Sequence, residues 1–476
     1  MTRSRFVAAF GVLLMLSTMA AFAQTKPKSI KLMVDGTFQV KENGEQALVD
    51  GFKALSGIDL VLNHPIHNEY YTKVDLAFAT GDIPEILLLG GNNYIKYAQA
   101  GMLVDVTDLY NKSAFKKNIK DPGVIEAVKL KGKLYGIPLE RGNGTVTYVR
   151  GDWLEKLGLK APATYAEFLD MLRAFKNKNP DGLTPDQVIP ITAAGLVNSD
   201  PSAPMDMYLR EFYQDANPDF FQVAGKWVDG FSLPNMEGAL DRMRLAYSEG
   251  LIDKEIITNK TSTARDKWNS GKVGVFNYWA GQWNQNLQLN LAANVPQGKV
   301  TPIPAIKEAK YIERPATVYA ITQKNAKNAP SLFKYWYEFV LDGGKGQTWA
   351  SFGTEGIFHK VVDGKLQWLP SIQDPKKPFT KAIITAETPV NKWNSRYDAP
   401  ELIDKSLAVF QANSVAYGLI PFSEEAMELV PDLNQIRTKY VSKIVFGELS
   451  VKDGLAAYAK ETAKYTRIIL KELNSK

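Results

Sequence analysis

The feature that most constrains the fold of this chain is a regular alternation of short apolar runs and helical patterns between residues 30 and 89. Strands are predicted at Ile30–Val34, Ile58–Leu62 and Glu85–Leu89, because each is a short apolar run. Helices are predicted between them, at Glu45–Ser56 and Glu69–Thr80. Strands that alternate with helices in this way form a parallel sheet covered on both faces. The sequence therefore predicts an α/β fold.

Two polar loops follow strands of this predicted sheet. They are Asp35-Gly36-Thr37 and Gly90 to Tyr94. Ligands of parallel sheets bind in the loops that follow the carboxyl ends of strands. On this geometric ground, Thr37, Asn92 and Asn93 are candidate ligand-binding residues.

The rest of the chain continues the mixture of strands and helices. The remaining predicted elements are a hairpin at residues 131–138, strands at Thr145–Arg150 and Gly271–Asn277, and helices at residues 164–177, Met236–Ser248, Ser331–Leu341 and from about Val430 onward. Thr164 and Glu167 form a capping box that starts the first of these helices. The chain has 476 residues, more than one ordinary core serves, so we expect two lobes.

The N-terminus has the pattern of an export signal. Arg3 and Arg5 are followed by the apolar run Phe6–Ala20 and by the small-residue site Ala21-Phe22-Ala23. The apolar run is shorter than the roughly 20 residues that a membrane-spanning helix needs. We therefore expect residues 1–23 to be removed, which leaves Gln24 as the mature N-terminus.

Composition narrows the setting further. The chain contains no cysteine, so a lipid anchor on a cysteine after the cleavage site is not expected. The net charge of +6 is spread along the chain without a basic block, which argues against a nucleic-acid partner. No later segment has the pattern of a membrane span. We expect a protein that is free in the periplasm of a double-membraned bacterium and is not inserted in the membrane.

A series of segments carries a family resemblance. The segments are FATGDIPEILLL (78–89), KGKLYGIP (131–138), VRGDWLEKLGLKAPATYAEFLDMLRAFKNKNPDG (149–182), YSEGLIDKEI (247–256) and WNSGKVGVFNYWAGQW (268–283). In this order and spacing they resemble the extracellular solute-binding family 1 of ABC importers. The branch that includes alginate-oligosaccharide and lipoprotein-LplA-like binders is the most similar. The resemblance extends over nearly the whole chain after the signal.

The resemblance implies a two-lobe periplasmic-binding-protein fold with a multi-segment hinge and an extended helical C-terminus. One lobe would comprise residues 24–148 and 317–370, and the other residues 149–316 and 371–476. The crossings would fall near Tyr148, Pro315 and Pro370. It also implies that a carbohydrate binds between the lobes, that the hinge closes on it, and that an ABC permease receives it. We expect a monomer without a cofactor.

Aromatic residues are numerous, with 9 Trp and 21 Tyr. An aromatic ring suits the apolar face of a sugar, and nearby polar groups suit its hydroxyls. Tyr278, Trp279 and Trp283 lie just past a predicted strand in NYWAGQWNQN, and Trp393 lies in NKWNSRYDAP. Because their neighbours are polar, we expect Trp279 and Trp393 to contact a ligand, and the resemblance implies the same for Trp279. Packing in the core is the alternative for each, and both readings stay open for Trp283.

The segment Arg141-Gly142-Asn143-Gly144 is a further candidate site. Its glycines would let backbone approach a ligand closely, and Arg141 and Asn143 supply hydrogen-bond donors. A plain turn is the alternative. Together with Arg314 and Arg396, Arg141 would suit an acidic sugar, whereas ion pairs with neighbouring carboxylates are the alternative. The sequence leaves a neutral and an acidic ligand both open.

No metal site is expected. In many relatives the region after the capped helix reads DPDGNGKxDEIP, a loop of calcium type. In the matching stretch, residues 179–190, Leu183 and Val188 replace oxygen ligands, and calcium requires several of them. His64 and His67 are the one close histidine pair, which is too few ligands for zinc.

The competing function is a secreted carbohydrate-active enzyme, such as a lyase or glycosidase. A glycosidase needs two carboxylates across the bond, and acidic residues are plentiful. A nucleophile elbow, an HExxH motif and a phosphate loop are all absent from the sequence. We therefore predict a binding protein and not an enzyme. A loaded protein that also addresses a receptor would be compatible with transport.

Overall fold

The computed structural model describes residues 25–35, 44–66, 69–178, 180–198, 204–370, 396–398 and 400–475. The strands are β1 (Ser29–Met33), β2 (Asp59–Asn63), β3 (Ile86–Leu89), β4 (Thr145–Arg150), β5 (Ile189–Thr192), β6 (Phe220–Val223), β7 (Lys226–Asp229), β8 (Val273–Trp279), β9 (Val300–Pro302), β10 (Tyr311–Glu313), β11 (Val318–Ile321), β12 (His359–Val362), β13 (Lys365–Trp368) and β14 (Ser414–Ala416). The helices are α1 (Glu45–Ser56), α2 (Tyr70–Thr80), α3 (Gly91–Gln99), α4 (Thr107–Lys112), α5 (Gly123–Glu126), α6 (Gly151–Leu157), α7 (Tyr165–Lys178), α8 (Arg210–Tyr213), α9 (Pro234–Ser248), α10 (Thr261–Asn269), α11 (Gln282–Asn294), α12 (Ala329–Leu332), α13 (Glu338–Val340), α14 (Lys345–Phe352), α15 (Glu401–Asn413), α16 (Glu424–Val445) and α17 (Val451–Leu473).

The first sheet has the strand order β11-β3-β1-β2 and forms the centre of one lobe. β1 runs parallel to β2 and β3, as the alternating pattern predicts. All four residues of β3 are buried, which is typical of a strand covered on both faces. β11 comes from much later in the chain and runs antiparallel to β3. The parallel core of the first lobe is therefore as predicted, and β11 is an addition to it.

The second sheet has the order β5-β8-β4-β9 and forms the centre of the other lobe. β5 runs parallel to β8, whereas β4 is antiparallel to both β8 and β9. The predicted strand Thr145–Arg150 is β4 with the same bounds. The other predicted strand, Gly271–Asn277, is observed two residues later as β8.

The predicted hairpin at residues 131–138 is wrong. Leu130 and Lys133 form a tight turn, with backbone hydrogen bonds of 2.9 and 3.0 Å between them. Ile137 pairs instead with Tyr319 of β11, through bonds of 2.9 and 3.0 Å. Leu134 and Ile137 are fully buried. The segment is therefore held by the core of the first lobe and not by pairing between its own residues, as a hairpin would be.

The helical predictions agree well with the structure. Glu167 N donates to Thr164 Oγ1 and Thr164 N donates to Glu167 Oε2, both at 3.2 Å, which is the predicted capping box before α7. The predicted helix Ser331–Leu341 is observed as α12 and α13, joined by a π-type turn at residues 333–337. The helical C-terminus is confirmed as α16 and α17, which pack against each other and against α9.

Two connecting segments run side by side between the sheets. One, residues 141–144, leads into β4, and the other, residues 314–317, leads from β10 into β11. Arg314 N donates to the carbonyl oxygen of Asn143 at 3.0 Å. A Cβ atom on Gly142 would collide with the carbonyl oxygen of Arg314, and one on Gly144 with that of Ile312. These backbone contacts leave no room for a Cβ atom, so both positions require glycine, and the ligand approach that the sequence suggested stays a prediction.

Candidate ligand-binding cleft

The connecting segments join the two sheets near the ends of β3 and β8. In the first sheet, the end of β3 at Leu89 lies beside the start of β11 at Val318. In the second, the end of β8 at Trp279 lies beside the start of β4 at Thr145. The residues after β3, at the start of α3, line a cavity, whereas Ala280 and Gln282 after β8 are buried. The carboxyl end of a strand is the position at which α/β sheets bind ligands, and in this structure the end of β3 occupies it.

A cavity of about 950 Å³ lies between the two lobes. α3 and the residues after it form the wall on the first lobe. The opposite wall is formed by α16, by the loop before it and by residues around β6, and Pro315 of the connecting segment also lines the cavity. The cavity is therefore built from both lobes and from the connection between them.

The cavity wall is rich in uncharged polar groups and aromatic rings. The amide and hydroxyl side chains are Asn92, Asn93, Gln99, Asn198, Asn434, Gln435 and Thr438. The aromatic rings are Tyr97, Phe220, Tyr417 and Phe422. Amides both donate and accept hydrogen bonds, and rings cover apolar C–H surface. This combination suits a ligand with many hydroxyl groups.

The start of α3 contributes backbone donors. Gly90 precedes the helix and gives no side-chain cap, and the first three residues of the helix line the cavity. The first N–H groups of an α-helix have no partner within the helix. These donors therefore suit hydroxyl oxygens of a bound ligand.

A buried ionic network supports the wall on the second lobe. Arg437 of α16 is 1 % exposed, and its Nη2 donates to Asp229 Oδ1 at 2.6 Å. Its Nη1 lies 3.5 Å from Asp219 Oδ1 in the cavity wall, and its guanidinium lies over the Phe220 ring at 4.8 Å. Burial raises the pKa of the Asp219 carboxyl above its ordinary value, although the charge of Arg437 opposes the shift. Arg437 thus holds two wall residues at once.

The predicted site residues fall into different places. Asn92 and Asn93 line the cavity, but they lie in the first turn of α3 and not in a loop as predicted. Thr37 and Trp393 lie outside the described residues, so they stay predictions. Arg396 is exposed, and its guanidinium lies 5.4 Å from the ring of its neighbour Tyr397.

Arg141 and Asn143 have partners within the connecting segments. The Arg141 guanidinium makes a two-pronged ion pair with Glu313, with Nε–Oε1 at 2.9 Å and Nη2–Oε2 at 2.7 Å. Hydrogen bonding to Glu313 is the main cause of a raised pKa for Arg141. Asn143 is 4 % exposed, and its Nδ2 donates to the carbonyl oxygen of Ala280 at 3.3 Å.

The predicted aromatic cluster is not a polar loop. Trp279 is the last residue of β8 and is 8 % exposed, with the Arg314 guanidinium 4.6 Å from its ring. Tyr278 and Trp283 pack edge to face with ring centroids 4.9 Å apart. Arg265 of α10 donates to the Tyr278 hydroxyl at 2.7 Å and lies over the Trp283 ring at 4.9 Å. The expectation of a loop position for Trp279 is wrong, because β8 extends two residues farther than predicted, and Trp283 lies in α11, a helix that the sequence analysis did not predict.

Sequence reasoning missed most of the wall on the second lobe. Residues 417–422 and α16 come from the C-terminal part of the chain, far from the strand-helix repeats. One signal was present, since Arg437 is a cation on the apolar face of a helix whose neighbours Leu433, Val441 and Ile444 are buried. Its carboxylate partners are distant in sequence, and no local pattern identifies them.

The residues that the sequence analysis weighed as metal ligands contact other protein groups where the structure describes them. Asp181 accepts hydrogen bonds from Arg150 Nη2 and Trp153 Nε1, both at 2.7 Å, and from Lys156. His64 Nε2 lies 3.0 Å from Glu45 Oε2, whereas His67 and Asn179 are outside the described residues. In the described ranges, no three His, Cys, Asp or Glu residues cluster in a way that would hold a metal ion.

Among the residues that the structure describes, no helix combines the length and apolarity that crossing a membrane requires.

This architecture is similar to that of known proteins. Over 94 % of this chain and 98 % of the other, the structure resembles that of the alginate-binding protein AlgQ2, with a TM-score of 0.67 and 21 % identity. The lipoprotein LipO of Bacillus subtilis is 24 % identical over 251 residues, which are 52 % of this chain and 49 % of LipO. The fructooligosaccharide-binding protein FusA of Streptococcus pneumoniae is 23 % identical over 278 residues, 54 % of this chain and 51 % of FusA. The chain thus spans about half the length of the curated relatives it matches.

The predicted fold class is confirmed by the likeness to AlgQ2 and by the two sheets described above. The family of bacterial extracellular solute-binding proteins matches residues 39–341, more than half of the chain. The family resemblance read from the sequence segments is therefore confirmed. The chain belongs to the bacterial extracellular solute-binding protein family.

Proposed function

We propose that the protein is the substrate-binding component of an ABC importer and that it captures an oligosaccharide between its lobes. The interlobe cavity, lined by amides and aromatic rings, is the observation that carries this proposal. Small-molecule pockets span about 300–1,000 Å³, so a cavity of about 950 Å³ favours an oligosaccharide over a single sugar ring. The similarity to FusA, a fructooligosaccharide-binding protein, and to AlgQ2, an alginate-binding protein, supports a carbohydrate ligand.

The division of the chain into lobes is part of this proposal. The bounds expected from the sequence, residues 24–148 with 317–370 for the first lobe and 149–316 with 371–476 for the second, are adjusted in this proposal at the first and third crossings. β4 pairs in the second sheet from Thr145 onward, which favours a first crossing just before that residue. The second crossing would run through the segment that contains Pro315.

The third crossing is better placed after Asp398 than near Pro370. Leu366 N in β13 donates to the carbonyl oxygen of Asp398 at 3.4 Å. The ring of Tyr397 lies 6.5 Å from that of Phe352 in α14. Both contacts favour placing residues 396–398 with the first lobe, so that α15 begins the return to the second.

Hinge closure is the mechanism we propose. Contacts from α3 and from α16 are made together only when the lobes approach each other. A ligand that gains both sets therefore favours the closed form over the open one. An ABC permease would recognise that closed form.

A binding role is favoured over hydrolysis by the state of Asp219, the buried one of the two carboxylates that line the cavity, the other being the exposed Glu428. Asp219 accepts a hydrogen bond from Met205 N at 2.9 Å, and its other oxygen lies 3.5 Å from Arg437. A glycosidase needs a carboxylate that can reach the scissile bond as acid, base or nucleophile. Asp219 is instead tied into the wall that it belongs to.

The proposal is tested by a thermal-shift screen of the purified protein against a panel of oligosaccharides. We expect a rise in melting temperature with at least one of them, and mass spectrometry should recover that sugar intact. Recovery of shorter fragments would support the alternative of a lyase or glycosidase. No shift with any oligosaccharide would contradict the proposed ligand class.

A cavity variant locates the site. Asn93→Ala removes an amide from the wall on α3, so we expect at least about a tenfold loss of affinity with little change in melting temperature, as for a lost hydrogen bond to a polar ligand. Asn111→Ala, at an exposed position on α4, is the matched control and should bind as the parent does. Equal affinity in the two variants, measured by calorimetry, would place the site elsewhere.

The cellular location stays a proposal as well. We propose export by the signal at residues 1–23 and a free periplasmic protein without a lipid anchor, on the basis of the sequence features at the N-terminus. Intact-mass analysis of the protein from periplasmic extracts should give the mass of a chain that begins at Gln24. A larger mass that matches an acylated chain would contradict this.

A further inference from the structure

Of the three arginines that would suit an acidic sugar, Arg141 and Arg314 contact other protein groups, and Arg396 is exposed and does not line the cavity. Arg141 is held in a two-pronged pair with Glu313, and its Nη1 lies 3.7 Å from Asp121 as well. Arg314 is 5 % exposed, and its guanidinium lies over the Trp279 ring. In such a two-pronged pair, the carboxylate already occupies the guanidinium N–H donors that a ligand carboxylate would need.

The charges of the cavity wall also balance. In the part of the wall that the structure describes, the cations are Lys96 and Arg437 and the carboxylates are Asp219 and Glu428. Lys96 Nζ lies 2.8 Å from Oδ1 of Asp75, which does not line the cavity. Arg437 is paired with Asp229 in addition to Asp219. Each cation in the described part of the wall thus has at least one carboxylate partner, and this part carries no excess positive charge.

The balance matters because charged and uncharged ligands make different demands. A sugar carboxylate that leaves water loses its hydration, and this cost is offset only by a cation or by several donors. Hydroxyl groups need only the neutral donors and acceptors that line this cavity in quantity.

From this pattern we infer that the ligand is an uncharged oligosaccharide and not a uronic-acid oligomer. The inference rests on the proposed function, because it specifies the class of sugar for the same cleft. It also implies that Lys96 has a structural role, because it pairs with Asp75, and that it does not recognise a charge on the ligand.

Calorimetry with two matched groups of probes tests the inference. One group contains maltotriose, kestose and xylotriose, and the other contains trigalacturonate and trimers of mannuronate and guluronate. We expect binding only within the uncharged group, with an affinity that is the same at low and at high ionic strength. Tighter binding of any uronate trimer, weakened by salt, would overturn the inference while leaving the proposed carbohydrate function standing. No binding of either group would overturn both.

A charge variant gives a second readout. Lys96→Met removes a cation from the cavity wall, and Asn434→Ala removes an amide from the opposite wall. With an uncharged trimer, the affinity of both variants should be the same at low and at high ionic strength, as for the parent protein. Salt-dependent binding of a uronate trimer by the parent protein that Lys96→Met abolishes would contradict the inference, since the ammonium group would then recognise a ligand charge.

Discussion

At the scale of single residues, Gly142 shows how the two lobes are joined. It has no room for a Cβ atom, because the carbonyl oxygen of Arg314 occupies that position. The obstructing atom is backbone and belongs to the other connecting segment, so it cannot move aside as a flexible side chain would. The close approach also allows the hydrogen bond from Arg314 N to Asn143 O at 3.0 Å.

Gly142→Ala should therefore destabilise the fold. We expect a loss of about 1–3 kcal/mol in the free energy of unfolding, the usual cost of overpacking. Gly418→Ala is the matched control, since an added Cβ there would meet no atom within 4 Å. Urea unfolding curves compare the two variants. Equal stability would show that the connecting segments separate more easily than their contacts indicate.

Asp181 is a second residue with a measurable role. Burial alone would raise the pKa of its carboxyl, but hydrogen bonds from Lys156 and Trp153 and the charge of Arg150 outweigh burial and lower it. A lowered pKa in the folded state stabilises the protein above the unfolded value of about 3.9, and this contribution is lost as the pH falls through the folded value. Asp181 therefore contributes to stability at neutral pH and not in acid.

Asp181→Asn should lower the free energy of unfolding by about 1–3 kcal/mol at pH 7, since charge-assisted hydrogen bonds are weakened. The difference from the parent protein should shrink at a pH below the folded pKa, where the parent's carboxyl is also uncharged. Unfolding curves at neutral and at acid pH measure both values. A difference in the free energy of unfolding that is independent of pH would show that the charge of Asp181 does not stabilise the protein.

Residue identities could be predicted where the chemistry is local. Asn92 and Asn93 follow a strand of the first sheet, and position alone identified them as cavity residues. Arg141 and Arg314 carried no such signal. Their partners, Glu313 and Trp279, lie far away in sequence and are brought near only by the crossing of the connecting segments.

At the scale of elements, α16 links the cavity to the C-terminal helices. Arg437 projects from it to Asp219 and Asp229, and its Nε donates to the Tyr458 hydroxyl of α17 at 3.3 Å. Tyr458 in turn donates to Asp229 Oδ2 at 2.9 Å. The long C-terminal helices are thus part of the structure that positions the wall of the cleft.

Arg437→Met should cost about 3–5 kcal/mol of folding stability, because it leaves Asp229 buried without its cation. Arg467→Met, at an exposed position on α17, is the control and should have a much smaller effect. Melting temperatures of the two variants provide the comparison. If both variants melted alike, the buried network would not hold the wall in place.

The elements themselves were largely predictable, and the failures share one physical cause. Strand and helix periodicity located β1 to β3 and their helices within a few residues, and capping chemistry located the start of α7. The false hairpin at residues 131–138 has suitable turn residues, but Ile137 pairs with β11, which is about 180 residues later in the sequence. Local patterns report local preferences, and long-range pairing overrides them here.

At the scale of the whole molecule, two lobes are joined by segments that run side by side. Paired connections of this kind restrict the relative motion of the lobes to a few directions, and opening and closing of the cleft is the motion that the proposed function needs. The facing walls on α3 and α16 line one cavity, and under the proposed function they belong to different lobes and bind one ligand together. The account therefore depends on a change in the separation of the lobes when a ligand binds.

Small-angle X-ray scattering tests that change most directly. The radius of gyration is measured without ligand and at saturation with an oligosaccharide that binds in calorimetry, with an oligosaccharide that gives no calorimetric signal as the control. The account predicts a smaller radius for the protein loaded with the binding sugar and no change with the control sugar. An unchanged radius of the parent protein at saturation would contradict closure of the lobes around the ligand.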